Sequence, residues 1–178
     1  SFQIFRYKED DPFSLSYNDI RDMCIDNSGN LWLATRGGGV NKIDLKPKKF
    51  EHIYRNPKIE NTLSSNRIEA IHVDKDSVIW IGTNGGGLNK YDPGKNVFMH
   101  FKAEVGVPGK IGSNHIRTLI EDKNEVLWIG TNGSGLNKFD KKTETFTIYL
   151  NNPNDETTIS DNDIMAIAID SDNNLWLG

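Results

Sequence analysis

The sequence predicts an all-β chain, a β-propeller fragment built from 48-residue, four-stranded blades. Three observations carry this reading. The four tryptophans, Trp32, Trp80, Trp128 and Trp176, each follow the last by 48 residues. Further columns keep the same interval with no insertion or deletion: Asn18, Asn66, Asn114 and Asn162; Ile20, Ile68, Ile116 and Ile164; Asp26, Asp74, Asp122 and Asp170; Phe2, Phe50, Phe98 and Phe146. Each unit also divides into four short apolar or β-branched runs between turn residues, and no segment shows a helical period of useful length. A unit of about 40 to 50 residues with two apolar faces cannot cover both alone, so blades stack around an axis. A parallel β-helix would use shorter coils, and a two-sheet sandwich gives no reason for the regular spacing.

The elements follow in order. In the copy from Asn66 the first strand is "NRIEAIHVD", ending at the turn "DKDS". The second, "IWIGT", is apolar on both faces, as a strand buried between two layers should be, so each Trp is expected to be largely buried between blades. Small residues two places after each Trp (Ala34, Gly82, Gly130, Gly178) leave room for a bulky side chain of the adjoining blade. The third strand, "GLNKYD", is joined through Asn84-Gly85, or Asn132-Gly133 in the next copy. This pair is a hairpin signal because both residues tolerate positive φ. The fourth carries the aromatic column, as "FMHF" from Phe98 and "FTIY" from Phe146. A polar connector such as "RNPKIENTLSSN" leads to the next blade. The expected blades span about 18–54, 66–102 and 114–150, with partial-blade strands at 2–5 and 162–178 and about fifteen strands in all.

Composition narrows the function classes. Among 178 residues, 21 Lys and Arg face 25 Asp and Glu, a net charge of -4 spread along the chain. With no basic run there is no nucleic-acid footprint. The longest apolar run, near Met165–Ile169, falls far short of the ~20 residues of a membrane span, so no direct membrane insertion is expected. Cys24 is alone and forms no internal disulfide. The chain opens on Ser1 in mid-pattern, which reads as a piece of a longer chain. Partial blades at both ends would leave apolar faces open, for further blades of the parent or for self-association.

The repeated stretches "DNSGNLWLATRGGGV", "DKDSVIWIGTNGGGL" and "DKNEVLWIGTNGSGL" resemble the two-component regulator propeller repeat, and the resemblance covers essentially the whole chain. Ser77-Val78 and Glu125-Val126 replace the usual Gly-Asn in two turns, and Ser134 replaces a Gly. The resemblance implies the periplasmic sensor region of a hybrid two-component histidine kinase of Bacteroidetes, detecting oligosaccharides and signalling to polysaccharide-utilisation genes. The expected role is therefore a non-enzymatic, ligand-sensing input domain. A protein-interaction scaffold and a streptogramin-lyase-like propeller enzyme are the alternatives.

Individual residues support no catalytic set. The glycine-rich stretches lack the Gly-Lys-Ser/Thr ending of a phosphate loop and lead into a strand, so they read as turns. The Asp-rich turns, "DSDNN" from Asp170 above all, invite a calcium reading. A calcium loop needs a bidentate Glu at its twelfth position and flanking helices. The sequence ends before that position, and the equivalent turns "DKDSV" and "DKNEV" carry Lys, so short turns between strands are expected. His52 and His100 share an outer-rim column without Cys or carboxylate at ligand spacing. Cys24 reads as a packed small residue. The repeated Asn41-Lys42, Asn89-Lys90 and Asn137-Lys138 read as a solvated strand face. Candidate contacts lie where the copies differ, because a ligand breaks the symmetry. These are Arg36, Asn84 and Asn132 before the glycines, Arg67 and His115 in the connectors, and the lone aromatic Tyr17. Both loop classes should open on one face around the channel, where hydrogen bonds and stacking would hold a sugar. No cofactor and no metal are expected, so EDTA should leave the melting temperature unchanged. A drop of several degrees restored by calcium would instead make the Asp turns cation sites.

Overall fold

The computed structural model describes residues 4–11, 13–44 and 48–178, without the side chains of residues 48–50. These residues form fourteen strands and no helix: β1 (Ile20–Ile25), β2 (Asn30–Thr35), β3 (Gly39–Asp44), β4 (Lys48–Ile53), β5 (Ile68–Val73), β6 (Ile79–Thr83), β7 (Leu88–Asp92), β8 (Val97–Phe101), β9 (Ile116–Glu121), β10 (Leu127–Thr131), β11 (Leu136–Asp140), β12 (Thr145–Tyr149), β13 (Ile167–Ile169) and β14 (Leu175–Leu177). They pair antiparallel as β1-β2-β3-β4, β5-β6-β7-β8, β9-β10-β11-β12 and β13-β14. Three complete blades and the two inner strands of another follow. Phe2, the Phe50 side chain and most of the expected strand at 2–5 lie outside the described residues. Ile4 and Phe5 fall outside the strands.

The turn between the first two strands of each blade is organised by its aspartate. Asp74 Oδ1 accepts the N–H groups of Asp76 and Val78, both at 3.0 Å. Its other oxygen, Oδ2, accepts the indole N–H of Trp80 at 2.9 Å. Trp32–Asp26, Trp128–Asp122 and Trp176–Asp170 repeat the indole bond at 2.9, 3.0 and 3.0 Å. The turn needs one left-handed residue, Gly29 at φ 80°, and Ser77 and Glu125 take it at 62° and 65°. That explains the Gly of the usual repeat, since only glycine adopts this region without steric cost.

Cores lie between blades. Trp32, Ala34 and Val40 of the first blade pack with Ile68, Ile79, Ile81 and Tyr91 of the second. Trp80 and Leu88 pack with Ile116, Leu127, Ile129 and Phe139 of the third. Gly82 and Gly130, two places after Trp80 and Trp128, are sockets for the isoleucine column. A Cβ on Gly82 would stand 2.5 Å from Ile116 Cγ2, and one on Gly130 would stand 2.8 Å from Ile164 Cγ2. Each covered indole meets an aromatic from the next blade's third strand. Tyr91 lies edge-on to Trp32 at 6.2 Å, and Phe139 lies edge-on to Trp80 at 5.4 Å.

Two expectations are corrected. Burial of all four tryptophans holds for Trp32 and Trp80, each 1% exposed, and only in part for Trp128, while Trp176 is 65% exposed. Among the described residues β13-β14 has no third strand beside Trp128, and no further blade lies over Trp176. The hairpin between second and third strands is also not a two-residue Asn-Gly turn. Positive φ falls on Gly85 (94°) and Gly87 (77°), with Asn84 outside that region. Both glycine N–H groups donate to the Asn114 carbonyl of the next blade, and a Cβ on Gly87 would collide with Phe101 O.

Trp80→Ala should cost on the order of 3–5 kcal/mol, the range for a buried aromatic. In the 178-residue chain, where its indole is exposed, Trp176→Ala should cost less than about 1 kcal/mol. Denaturant melts of the two variants give the comparison, and equal losses would contradict the packing described. Burial acts to raise the Asp74 carboxyl. The Trp80 indole, the hydrogen bond and charge of Lys141, and the Val78 N–H outweigh it and hold the group below the usual carboxylate range. Its contribution is therefore complete above the unfolded value of about 3.9 and is lost as pH falls through the lower folded value. Asp74→Asn should lose about 1–3 kcal/mol at pH 7. Urea midpoints should show that gap to wild type narrowing below about pH 4.

Candidate functional site

The first strands β1, β5, β9 and β13 sit side by side along the inner edges of the blades. At one end of them the two variable loop classes meet, as the sequence suggested. Arg36 and Arg67 form an antiparallel bridge across the first blade junction, and Asn84 and His115 form the same bridge across the second. Within blades, Asn84 N–H donates to Arg67 O at 2.8 Å, and Asn132 N–H donates to His115 O at 2.9 Å. Arg36, Arg67, Asn84, His115 and Asn132 thus follow one another in a continuous belt. Asp163 extends it by accepting the N–H of Gly133. Tyr17 stands two residues before Asp19, whose carbonyl receives the Arg36 N–H, and the residue is 47% exposed.

The repeated asparagines build this belt. The side-chain oxygens of Asn66, Asn114 and Asn162 accept N–H groups of Arg55, Ala103 and Asn151, fastening each connector to the strand before it. The buried Asn41 and Asn89 accept the N–H groups of Ser16 and Ser64 and donate to the same serine hydroxyls. In the third blade Gly112 stands where those serines would be, and Asn137 donates instead to the carbonyls of Ser134 and Gly135. The connectors are thereby fixed, and their variable side chains are presented on a common frame.

Side chains at the belt differ in how they are satisfied. With its proton on Nδ1, His115 donates to Asn84 Oδ1 at 2.9 Å, and Asn84 donates onward to Glu69 Oε1 at 3.4 Å. Arg21 pairs with Asp19 at 3.5 Å. Arg21, Glu69 and Arg117 went unnoticed in the sequence. They occupy one column, the extra residue of a β-bulge where the first strand's register shifts, between Ile20 and Asp22, Ile68 and Ala70, and Ile116 and Thr118. Bulges re-aim side chains next to functional sites. The signal was present, because this column also varies between copies: Arg21, Glu69, Arg117 and Met165.

The remaining candidates are structural. His52 and His100 each point a ring nitrogen at their own connector, to Ser14 O at 2.6 Å and Thr62 O at 2.8 Å. Burial pushes the His100 imidazole down, against the raising effect of the Thr62 carbonyl. Burial, with the Asp22 and Asp26 carboxylates, pushes the Cys24 thiol up to about 12, so the packed-residue reading fits. The repeated lysines are more than a solvated face. The ammonium groups of Lys42, Lys90 and Lys138 lie over Trp32, Trp80 and Trp128 at 5.7, 5.6 and 5.7 Å, within cation–π range. At the far end of the second junction, Glu121 receives both His72 and Lys141 at 2.9 Å, and Lys141 also reaches Asp74 at 2.9 Å. An outer-rim groove holds Tyr54, Tyr91 and Phe98 with Asn61 and Asn96. Its amides are spent internally, Asn61 on Phe98 N and Asn96 O, and Asn96 on the Tyr91 hydroxyl. Among the described residues no group of three or more His, Cys, Asp or Glu is placed to hold a metal ion, and no helix is long and apolar enough to cross a membrane.

Four-stranded antiparallel blades stacked through a Trp column, with variable loops gathered at one inner end, define a β-propeller repeat protein. The chain belongs to the two component regulator propeller family, whose model matches residues 14–37, 62–85, 110–133 and 158–178, just over half of its length. No curated protein sequence matches it significantly. Among solved structures it is similar to extracellular domains of two hybrid two-component systems of B. thetaiotaomicron. One is 26% identical with a TM-score of 0.76, over 98% of this chain and 24% of that one. The other is 24% identical with a TM-score of 0.70, over 100% and 28% respectively. The chain thus spans about a quarter of the length of these neighbours. Virginiamycin B lyase of Staphylococcus aureus shares the fold at 16% identity and a TM-score of 0.64, over 89% of this chain and 48% of that one.

Proposed function

We propose that the chain is part of a non-enzymatic, ligand-sensing input region of a membrane-bound two-component sensor histidine kinase, placed in the periplasm and responding to oligosaccharides. The observation that carries the reading is the belt of Arg36, Arg67, Asn84, His115 and Asn132. Side chains that differ between copies are held there on backbone that does not. Such a site recognises an extended polar ligand through several hydrogen bonds distributed over blades. Family membership and likeness to extracellular domains of hybrid two-component systems support the sensing role. The parent's further blades would be its structural partners, and ligand-driven change in blade packing would carry the signal to the membrane. The lyase alternative rests on His115, the one histidine of the belt, and the structure ties its ring to Asn84.

Calorimetry of the whole extracytoplasmic region against an oligosaccharide library is the test. Saturable binding of one glycan class is expected, weakened roughly tenfold or more by Asn84→Ala. Turnover of a bound glycan or a macrolactone that disappears with His115→Ala would overturn the sensor reading in favour of an enzyme.

A further inference from the structure

Charge at the belt is unevenly compensated. Its acids are engaged within the protein: Asp19 by Arg21, Glu69 by the Asn84 amide, Asp163 by the Gly133 N–H, and Asp161 by the Asp163 N–H. Three of its arginines, Arg36, Arg67 and Arg117, are not matched in this way. Arg36 and Arg67 are both exposed, and neither guanidinium has a hydrogen bond or ion pair among the described residues. They face each other as a cross-strand pair, an arrangement that like charges destabilise. Arg117, on the bulge of β9 and two residues from His115, has its Nε shielded from solvent with no acceptor. A buried donor left without a partner carries a desolvation cost that an incoming acceptor would remove.

We propose that this belt binds an anionic group, a carboxylate or a sulfate ester, carried by an acidic saccharide. Arg36 and Arg67 grip it across the first junction, and Arg117 takes a second acceptor one blade further on. Guanidinium groups suit this task because their fork of donors matches the paired oxygens of carboxylate and sulfate. The asymmetry between copies has the same sense. The equivalents of Arg36 are Asn84 and Asn132, and those of Arg67 are Asp19, His115 and Asp163, so among these copies the facing arginine pair occurs at the first junction. Naming the ligand class in this way rests on the oligosaccharide-sensing reading.

Calorimetry of the whole extracytoplasmic region would use four probes: an oligogalacturonide, the same oligomer with its carboxyls methyl-esterified, a sulfated disaccharide, and inorganic sulfate. An acidic saccharide should bind at least roughly tenfold tighter than its neutral counterpart, and more weakly as salt rises. Arg67→Gln and Arg117→Gln should each remove most of that preference, weakening the acidic form far more than the neutral one. The carboxylate and sulfate arms say which group is read. Equal binding of acidic and neutral forms would overturn the proposal and leave the sensing of oligosaccharides standing. Binding of inorganic sulfate alone, lost in Arg67→Gln, would keep the anion site and overturn the saccharide ligand. No binding of any probe would overturn the proposal. A melting temperature within about two degrees of wild type for both variants would show that a lost preference is not lost folding.

Discussion

The hydrogen bond from each tryptophan indole to the aspartate six residues before it is the contact on which the blades depend. It joins two requirements that usually conflict. The indole must be buried to fill the space between blades, and its N–H must still find an acceptor. Asp26 and Asp74 meet the second demand while their other oxygens shape the turn that starts the tryptophan's own strand. One carboxylate therefore fixes a turn, a strand start and a core side chain together. Around the indole, the lysine of the third strand covers one part and an aromatic of the following blade another.

The stack of blades follows from the same geometry. With the tryptophan fixed, the residue two places on faces the neighbouring blade and must be small. Gly82 and Gly130 leave room for Ile116 and Ile164 of the next copy. The neighbour's connector is then brought over the glycine turn, where the Asn114 carbonyl collects two glycine N–H groups. The variable belt is built on these fixed bonds, so its side chains can differ from copy to copy without disturbing the fold.

Most of the fold was legible because the 48-residue spacing placed every strand, and the socket glycines were readable from their position after the tryptophan. The fate of Trp176 was not, since burial of its indole depends on strands beyond its own hairpin. The Asn-Gly pairs misled because they usually mark two-residue turns. Here the turn is longer, and the neighbouring blade's carbonyl sets which residues take positive φ. At the candidate site the rule of looking where copies differ found Arg36, Arg67, Asn84, His115 and Asn132, and the structure joins them. Arg21, Glu69 and Arg117 also differ between copies, but a bulge leaves no mark in the apolar pattern that would place their column beside the loops. The rule also missed the ion network of His72, Glu121 and Lys141, because Lys141 reaches Asp74 from 67 residues away along the chain.

The bulge recurs at one residue of β1, β5 and β9, within units of identical length. An arginine, a glutamate and a second arginine are thereby offered from the same kind of backbone perch, and only the lettering changes from blade to blade. A gene segment encoding 48 residues can then be copied, lost or exchanged as a cassette without re-inventing a loop. New ligand preferences would arise by shuffling cassettes and editing single codons, while the scaffold that carries them stays the same.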